Sequence, residues 1–195
     1  ETNDLKRNEK WHNEIEKILQ TISSRFVGDV DFDQIINDSL ADLGGFVGAK
    51  RVYLFLFWED EKKLYNTHGW CADGVSHSET DKLQSLTSIE LPWLMDNLCK
   101  GEIIKTEDVS HLPEKAEAEK KFFRSQKFNS LLILPANIEN KLRGFICFDN
   151  YHESNDWLDE VIDPLQTSTQ IIVNYIERKN SEEKFKMLFE NIPDV

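Results

Sequence analysis

Cysteine is scarce in this 195-residue sequence, with only Cys71, Cys99 and Cys147. Three widely spaced cysteines exclude a disulfide framework and fit a reducing, cytoplasmic compartment. Basic charge is scarce as well. Lys and Arg number 23 against 36 Asp and Glu, a net charge of -13, and no basic stripe breaks that balance. A phosphate backbone would be repelled, so a nucleic-acid partner is excluded. Long apolar runs are missing too: "VYLFLFW" is far too short to cross a bilayer, so the fragment reads as soluble with no membrane part. The start, "ETNDLKRNEK", has neither an initiator Met nor a signal-peptide pattern and reads as a cut from a longer chain.

What is present is enough for a core. Hydrophobic residues are 39% and charged residues 30%, with 8 Gly and 5 Pro, the balance of a globular chain. Trp11, Ile15, Ile18, Ile22 and Phe26 make one stripe of an amphipathic helix. Asp31 and Asp33 are N-cap candidates for a second helix, "FDQIINDSLADLGGFVGA", which closes at its glycines. "RVYLFLFWED" and "LYNTHGWC" read as two strands joined by the polar turn "EDEKK".

The segment "ADGVSHSETDKLQSLTSIE" reads as a loop with a short helical piece. "PWLMDNLCKGE" suits a short helix, "EIIKTEDV" a short strand, and "PEKAEAEKKFFRSQK" a charged helix starting at Pro113. "SLLILPANIENKLRGFICFDNY" holds two apolar runs around a polar connector, "ANIEN", the pattern of an antiparallel hairpin interrupted by Gly144 and Asp149. From Trp157, apolar residues recur at the period of a long helix. Pro164 either sits in its first turn, with Asp163 as cap, or kinks a helix already begun. The sum is an α+β fold: a central antiparallel sheet of five to six strands, with the N- and C-terminal helices on one face and short helices and loops on the other. The strands near 51–58 and 143–149 are expected to be neighbours.

"PWLMDNLCKGE", "SLLILPANIENKLRGFICFDN" and Trp157 leading into the closing helix resemble a GAF domain, of the type found in multi-domain sensor histidine kinases. "SEEKFKMLFENIPDV" resembles the opening of a PAS domain. The resemblance divides the chain into an N-terminal linker helix (1–14), the GAF domain (15–178), and a signalling-helix linker with the start of a PAS domain (179–195). It implies a regulatory sensor that binds a small molecule or passes on a partner's signal through its terminal helices. It also implies adjacent PAS and kinase domains in the parent chain, and a closing helix long enough to outlast its own domain points to a homodimer through the terminal helices. A ligandless dimerisation and spacer module has the same sequence signature. No phosphate loop, GxSxG turn, HExxH helix or kinase His-box occurs, so the fragment reads as non-catalytic.

The strand Arg51–Trp58 sorts Tyr53, Phe55 and Phe57 onto one face. Aliphatic residues on its other face suit packing on helices, so the aromatic face is assigned to a pocket, under the "GVSHSETDKLQS" loop. Trp70, Trp93, Phe122 and Phe123 lie in segments expected to cover it. The candidate ligand-binding residues are therefore Tyr53, Phe55, Phe57, Trp70, Trp93 and Phe123, which stack on a flat ligand or simply fill the core.

The cofactor stays open. His68, Cys71 and His77 offer imidazole and thiolate to a metal or a haem, short of the four ligands of structural zinc. Cys147 reads as a buried, inert thiol. Cyclic-nucleotide-binding GAF domains carry an Asn-Lys pair, a Phe and an Asp-Glu. Here Asn150 precedes Tyr151, and Trp157 and Asp159-Glu160 follow at a different spacing, which counts against a cyclic nucleotide. The Cys-His dipeptide of bilin attachment is absent, since the cysteines precede Ala, Lys and Phe.

Overall fold

In a computed structural model, residues 2–26, 31–57, 63–75, 85–151, 157 and 159–190 are described. Helix α1 spans Thr2–Arg25 and buries Ile22 completely, with Ile18 and Phe26 packed beside it. The side chain of Trp11 lies outside the described residues. Helix α2, Phe32–Val47, begins at Asp31, whose carboxylate accepts the Gln34 N–H at 3.1 Å, and ends at Gly48 with φ +66. Asp31 rather than Asp33 is therefore the cap, because its oxygen reaches an N–H of the first turn that has no helical partner.

The strands are β1 (Arg51–Phe57), β2 (Lys63–Cys71), β3 (Ser85–Thr87), β4 (Ile104–Thr106), β5 (Phe128–Ile138) and β6 (Lys141–Tyr151). They form one sheet in the order β3-β2-β1-β6-β5-β4, every pair antiparallel. β1 and β6 are neighbours, as their patterns imply. β3 was not legible: three residues within a polar segment carry no period, and Leu86 alone is core.

The hairpin connector is tighter than "ANIEN" suggests. β5 and β6 run on into it, leaving only Glu139 and Asn140, with φ +51 and +62, at the turn. Positive φ at both residues suits the right-handed twist of the flanking strands. Pro135 is tolerated inside β5 because β4 covers only Leu131 to Ile133, so its missing N–H breaks no ladder bond on that edge. Gly144 is required by close approach: a Cβ there would lie 2.1 Å from the Phe55 carbonyl oxygen.

Alternation splits the core into two layers. Val52, Leu54, Leu132, Leu134, Ile146 and Phe148 meet residues of α1, α2 and the closing helix α5 (Asp159–Glu190). Tyr53, Phe55, Leu131, Ile133, Phe145 and Cys147 meet the short helices α3 (Pro92–Cys99) and α4 (Glu117–Ser125) and the 3-10 turns around them. Both terminal helices thus share one face. Each fully buried aliphatic side chain contributes about 1.5–3 kcal/mol, so neither layer is dispensable.

Helix α5 begins before Pro164, which lies inside it. Asp163 is therefore not the cap: the helix starts at Asp159, and the proline removes one hydrogen bond just after its first turn. The charged helix starts at Glu117, after a 3-10 turn over Glu114–Ala116. Among the described residues no helix is long and apolar enough to cross a membrane.

Candidate functional site

The face away from the long helices is walled by rings. Phe55 and Phe145 stack at 4.9 Å, Tyr53 and Phe128 lie 5.9 Å apart, and Phe123 is 5.7 Å from Phe128. Phe57, Trp93 and Phe122 pack half-buried against the same cluster. Five of the six candidate residues, Tyr53, Phe55, Phe57, Trp93 and Phe123, therefore come together. Trp70 does not.

Trp70 packs in the layer of the long helices, its ring over Gly44 of α2, where a Cβ would meet it at 2.4 Å. A β-bulge is the physical reason. Phe55 pairs with Asn66 but Leu54 with His68, so Thr67 is an extra residue. One extra residue reverses the sides of everything after it. Trp70 then pairs with Val52, on the helix side. Alternation parts the proposed metal ligands, which are three residues apart beyond the bulge: His68 follows Leu54 to the helix side, while Cys71, opposite Arg51, faces the aromatic side. His77 and most of the "GVSHSETDKLQS" loop lie outside the described residues. Among the described residues no group of three His, Cys, Asp or Glu side chains is placed to hold a metal.

Three charged side chains, absent from the sequence-derived set, are buried on the aromatic side. Arg51 donates from Nε to Asp149 Oδ2 at 2.6 Å, and its Nη2 also pairs with that carboxylate. Its guanidinium carbon lies 4.6 Å from the centre of the Phe128 ring, and its remaining N–H groups reach the carbonyls of Gln126 and Lys127 at 3.4–3.5 Å. Burial pushes the Asp149 carboxyl up to about 7, against the pull of Arg51. Glu119, fully buried on α4, accepts the backbone N–H groups of Trp93 and Leu94 through Oε1, at 2.9 and 3.1 Å. It thereby caps α3, whose own cap residue, Leu91, has no polar side chain. A signal for Asp149 was its interruption of an apolar strand; Arg51 and Glu119 lie in ordinary charged contexts and give none.

On this side Tyr53 Oη, Asn66 Oδ1, Trp93 Nε1, Asn137 Oδ1 and Glu119 Oε2 have no hydrogen-bond partner; on the helix side Trp157 Nε1, Gln166 Oε1 and the Ser168 and Thr169 hydroxyls have none either. Burial raises the Tyr53 hydroxyl well above its ordinary range and also raises the thiols of Cys71 and Cys147. All three stay protonated, and the thiols are poor nucleophiles. Cys99 alone is exposed.

The remaining candidates have structural work. Asn150 accepts the Lys50 N–H at 3.0 Å, and Lys105 binds the Trp157 carbonyl and Asp159, each at 2.7 Å. A cavity of about 550 Å³ opens between α1 and α2, lined by Ile18, Phe46 and charged residues including the Arg25–Asp42 pair. It is an open groove on the helix side, distant from the ring cluster.

No protein-family model matches the chain. Its sequence is 32% identical over 143 residues to the methanogenesis regulatory histidine kinase FilI of Methanothrix harundinacea (strain 6Ac), covering 71% of this chain and 16% of that protein. The chain thus spans less than a fifth of that relative. Among solved structures it resembles the chromophore-binding domain of the bacteriophytochrome RpBphP3 from R. palustris, with TM-score 0.72, 13% identity, and 89% of this chain and 63% of that one covered. It also resembles the phycoerythrobilin-bound GAF domain of a cyanobacterial phytochrome, with TM-score 0.71, 14% identity, and 88% and 99% covered. The GAF domain of an Acinetobacter phosphoenolpyruvate-protein phosphotransferase matches with TM-score 0.65 and 15% identity, over 85% and 93%. Sheet order, helix layering and these likenesses together make this chain a domain of the GAF fold.

Proposed function

We propose that this domain is a cytoplasmic, non-catalytic sensor within a longer signalling protein, a histidine kinase like its relative. Residues 15–178 would form the sensor and 179–195 the connection to a following PAS domain. The aromatic face takes up a small molecule, and α5 carries the consequence outward. One observation carries this reading: behind the ring-walled face a fully buried carboxylate, Glu119, leaves one oxygen without a partner. A buried polar group left unpaired costs about 1–3 kcal/mol, so it calls for something that completes it. The other face has unpartnered atoms too, on Trp157, Gln166, Ser168 and Thr169, but none of them belongs to an ionisable group, and the two hydroxyls have i−4 carbonyls at hand. Covalent bilin attachment is not part of the proposal, since Cys71 and Cys147 are buried thiols with raised pKa. Native mass spectrometry of protein purified from cells tests the reading: a retained small molecule, lost from Tyr53→Phe/Trp93→Phe protein, supports it.

A second reading has its own support. Helix α5 is 32 residues long, and on its last turns Phe185 and Met187 are 63% and 60% exposed. A second copy covering these side chains would make the domain a dimerising spacer, with or without a ligand.

A further inference from the structure

Four elements each bring a ring to the place where α5 leaves the domain. Among the described residues, Tyr175 and Ile176 are the last buried side chains of α5. The Tyr175 ring has two ring neighbours: Phe26, just past the end of α1, at 4.4 Å, and Phe32, the first residue of α2, stacked at 5.8 Å. Phe32 in turn meets the ring of His68 edge-on, with 6.1 Å between centres. His68 stands on β2 directly after the bulge at Thr67. A relay of rings thus runs from the sheet to the exit of the long helix, on the opposite side of the sheet from the aromatic face, and the inference needs no ligand there.

One ring in this relay titrates. The His68 side chain is 8% exposed, and a neutral imidazole is satisfied where it sits. Its Nε2–H donates to Asp33 Oδ1 at 3.2 Å, and its Nδ1 accepts the Thr67 hydroxyl at 3.1 Å. Protonation makes both nitrogens donors, and the Thr67 hydroxyl must then turn to the Leu54 carbonyl, 3.4 Å away. Asp33, on α2, is the one charge that acts on the ring, and it is 78% exposed. Leu54, the register partner of His68 on β1, carries none. Arg178 and Lys179 of α5 lie 5.5 and 5.9 Å from the centre of the Tyr175 ring, each 3.8 Å from Glu182, and bring no anion to the imidazole. Burial outweighs Asp33 and lowers the pKa of His68. A charged His68 therefore gains by following Asp33 outward into water, and Phe32 then loses the ring at its flank.

We propose that this relay is a proton-operated clamp on the exit of α5. Neutral His68 braces Phe32 against Tyr175 and holds the last buried turn of the helix; protonated His68 moves outward and lets that turn loosen. Acidification is thereby read out at the helix that leads away from the domain.

Hydrogen exchange of the whole domain at pH 7.5 and pH 5.5 tests the clamp, with rates converted to protection factors so that the intrinsic pH dependence of exchange drops out. Protection of the amides from Tyr175 to Asn180 should fall at least fivefold on acidification, while the β6 amides from Phe145 to Phe148 change less than twofold. In His68→Gln, which cannot take up the charge, the fall in the α5 turn should stay below twofold. Phe32→Leu keeps the titrating ring and breaks the relay, so its α5 turn should be poorly protected at both pH values. The imidazole NMR signal that His68→Gln removes should titrate with the same midpoint as the exchange. Should His68→Gln unfold, the Phe32→Leu comparison decides by itself. A wild-type turn indifferent to pH overturns the proposal. So does an equal fall in either variant, a fall shared by β6, or two midpoints more than about half a pH unit apart.

Discussion

Arg51 and Asp149 face each other across β1 and β6, joined at 2.6 Å inside a layer of rings. They are direct register partners in the ladder, and both are essentially inaccessible, at 2% and 0% exposure. The pair also holds the chain that follows α4, since Arg51 binds the carbonyls of Gln126 and Lys127 and Asp149 accepts the Asn129 N–H.

Removing one partner should cost far more than removing both. Asp149→Ala leaves a guanidinium buried and unpaired, and about 3–5 kcal/mol of stability should go. Arg51→Met/Asp149→Leu replaces both charges with apolar volume and should lie within about 1–2 kcal/mol of the wild type, or above it. Urea denaturation of the three proteins checks this. Equal losses in the single and double variants would show that the pair is not the unit.

His68 supplies a pH dependence of known sign. Its ring, 8% exposed, lies with Nε2 3.2 Å from Asp33 Oδ1 and Nδ1 3.1 Å from Thr67 Oγ1. Burial lowers its pKa, outweighing Asp33, which raises it. The unfolded chain, with its His near 6.5, therefore binds the proton more readily than the folded one. His68 contributes stability that is present above about 6.5 and is lost as the pH falls below it. Asp149 works in the opposite sense. Raised from 3.8 to about 7, it holds a proton in the folded state that the unfolded chain has lost, so its contribution declines as the pH rises through that window. The difference in stability between wild type and His68→Gln isolates the histidine, and it should shrink from pH 7.5 to pH 5.5. A constant difference would show that His68 does not titrate differently on folding.

Much of the fold was legible because it is written in local pattern. Apolar runs gave the central strands, and stripes at helical spacing gave α1 and α5. The side of Trp70 was not legible, because an inserted residue in β2 is a property of its pairing with β1 and leaves no local mark. Five of the six candidates share one face; for Tyr53, Phe55 and Phe57 that was legible because alternation within β1 is local. Glu119 escaped notice because its role depends on α3, brought to it from 25 residues away.

Gly44 and Trp70 should behave as a matched pair. A Cβ at position 44 would lie 2.4 and 2.6 Å from two ring carbons of Trp70 and 2.9 Å from Val52 Cγ2. Alanine is the better helix former by about 1 kcal/mol, yet overpacking costs about 1–3 kcal/mol. Gly44→Ala should therefore lower the melting temperature, and adding Trp70→Leu should recover part of the loss. Thermal melts of the single and double variants decide it. If Gly44→Ala is stabilising by itself, the ring does not lie where the fold puts it.

The end of α5 provides the test of assembly. Ile176 is buried against the domain, so the last contact with the core falls near there, and Asn180 to Met187 are all exposed. At about 1.5 Å per residue the helix is roughly 48 Å long, and it runs on past Ile176 with exposed side chains from Asn180 to Met187. A segment of that length is marginal as an isolated helix in water. Burying Phe185 and Met187 against a second copy would contribute about 1.5–3 kcal/mol for each side chain fully covered. The net charge of -13 opposes approach weakly at physiological salt, where screening acts within about 8 Å. Sedimentation should therefore show a dimer at micromolar concentration, and Phe185→Glu/Met187→Glu should convert it to a monomer without changing the melting of the domain core. Hydrogen exchange gives an independent reading, because amides beyond Asn180 should be protected in the dimer and fast in the variant. A wild-type monomer with an unprotected tail would remove the dimer and leave α5 as a simple tether.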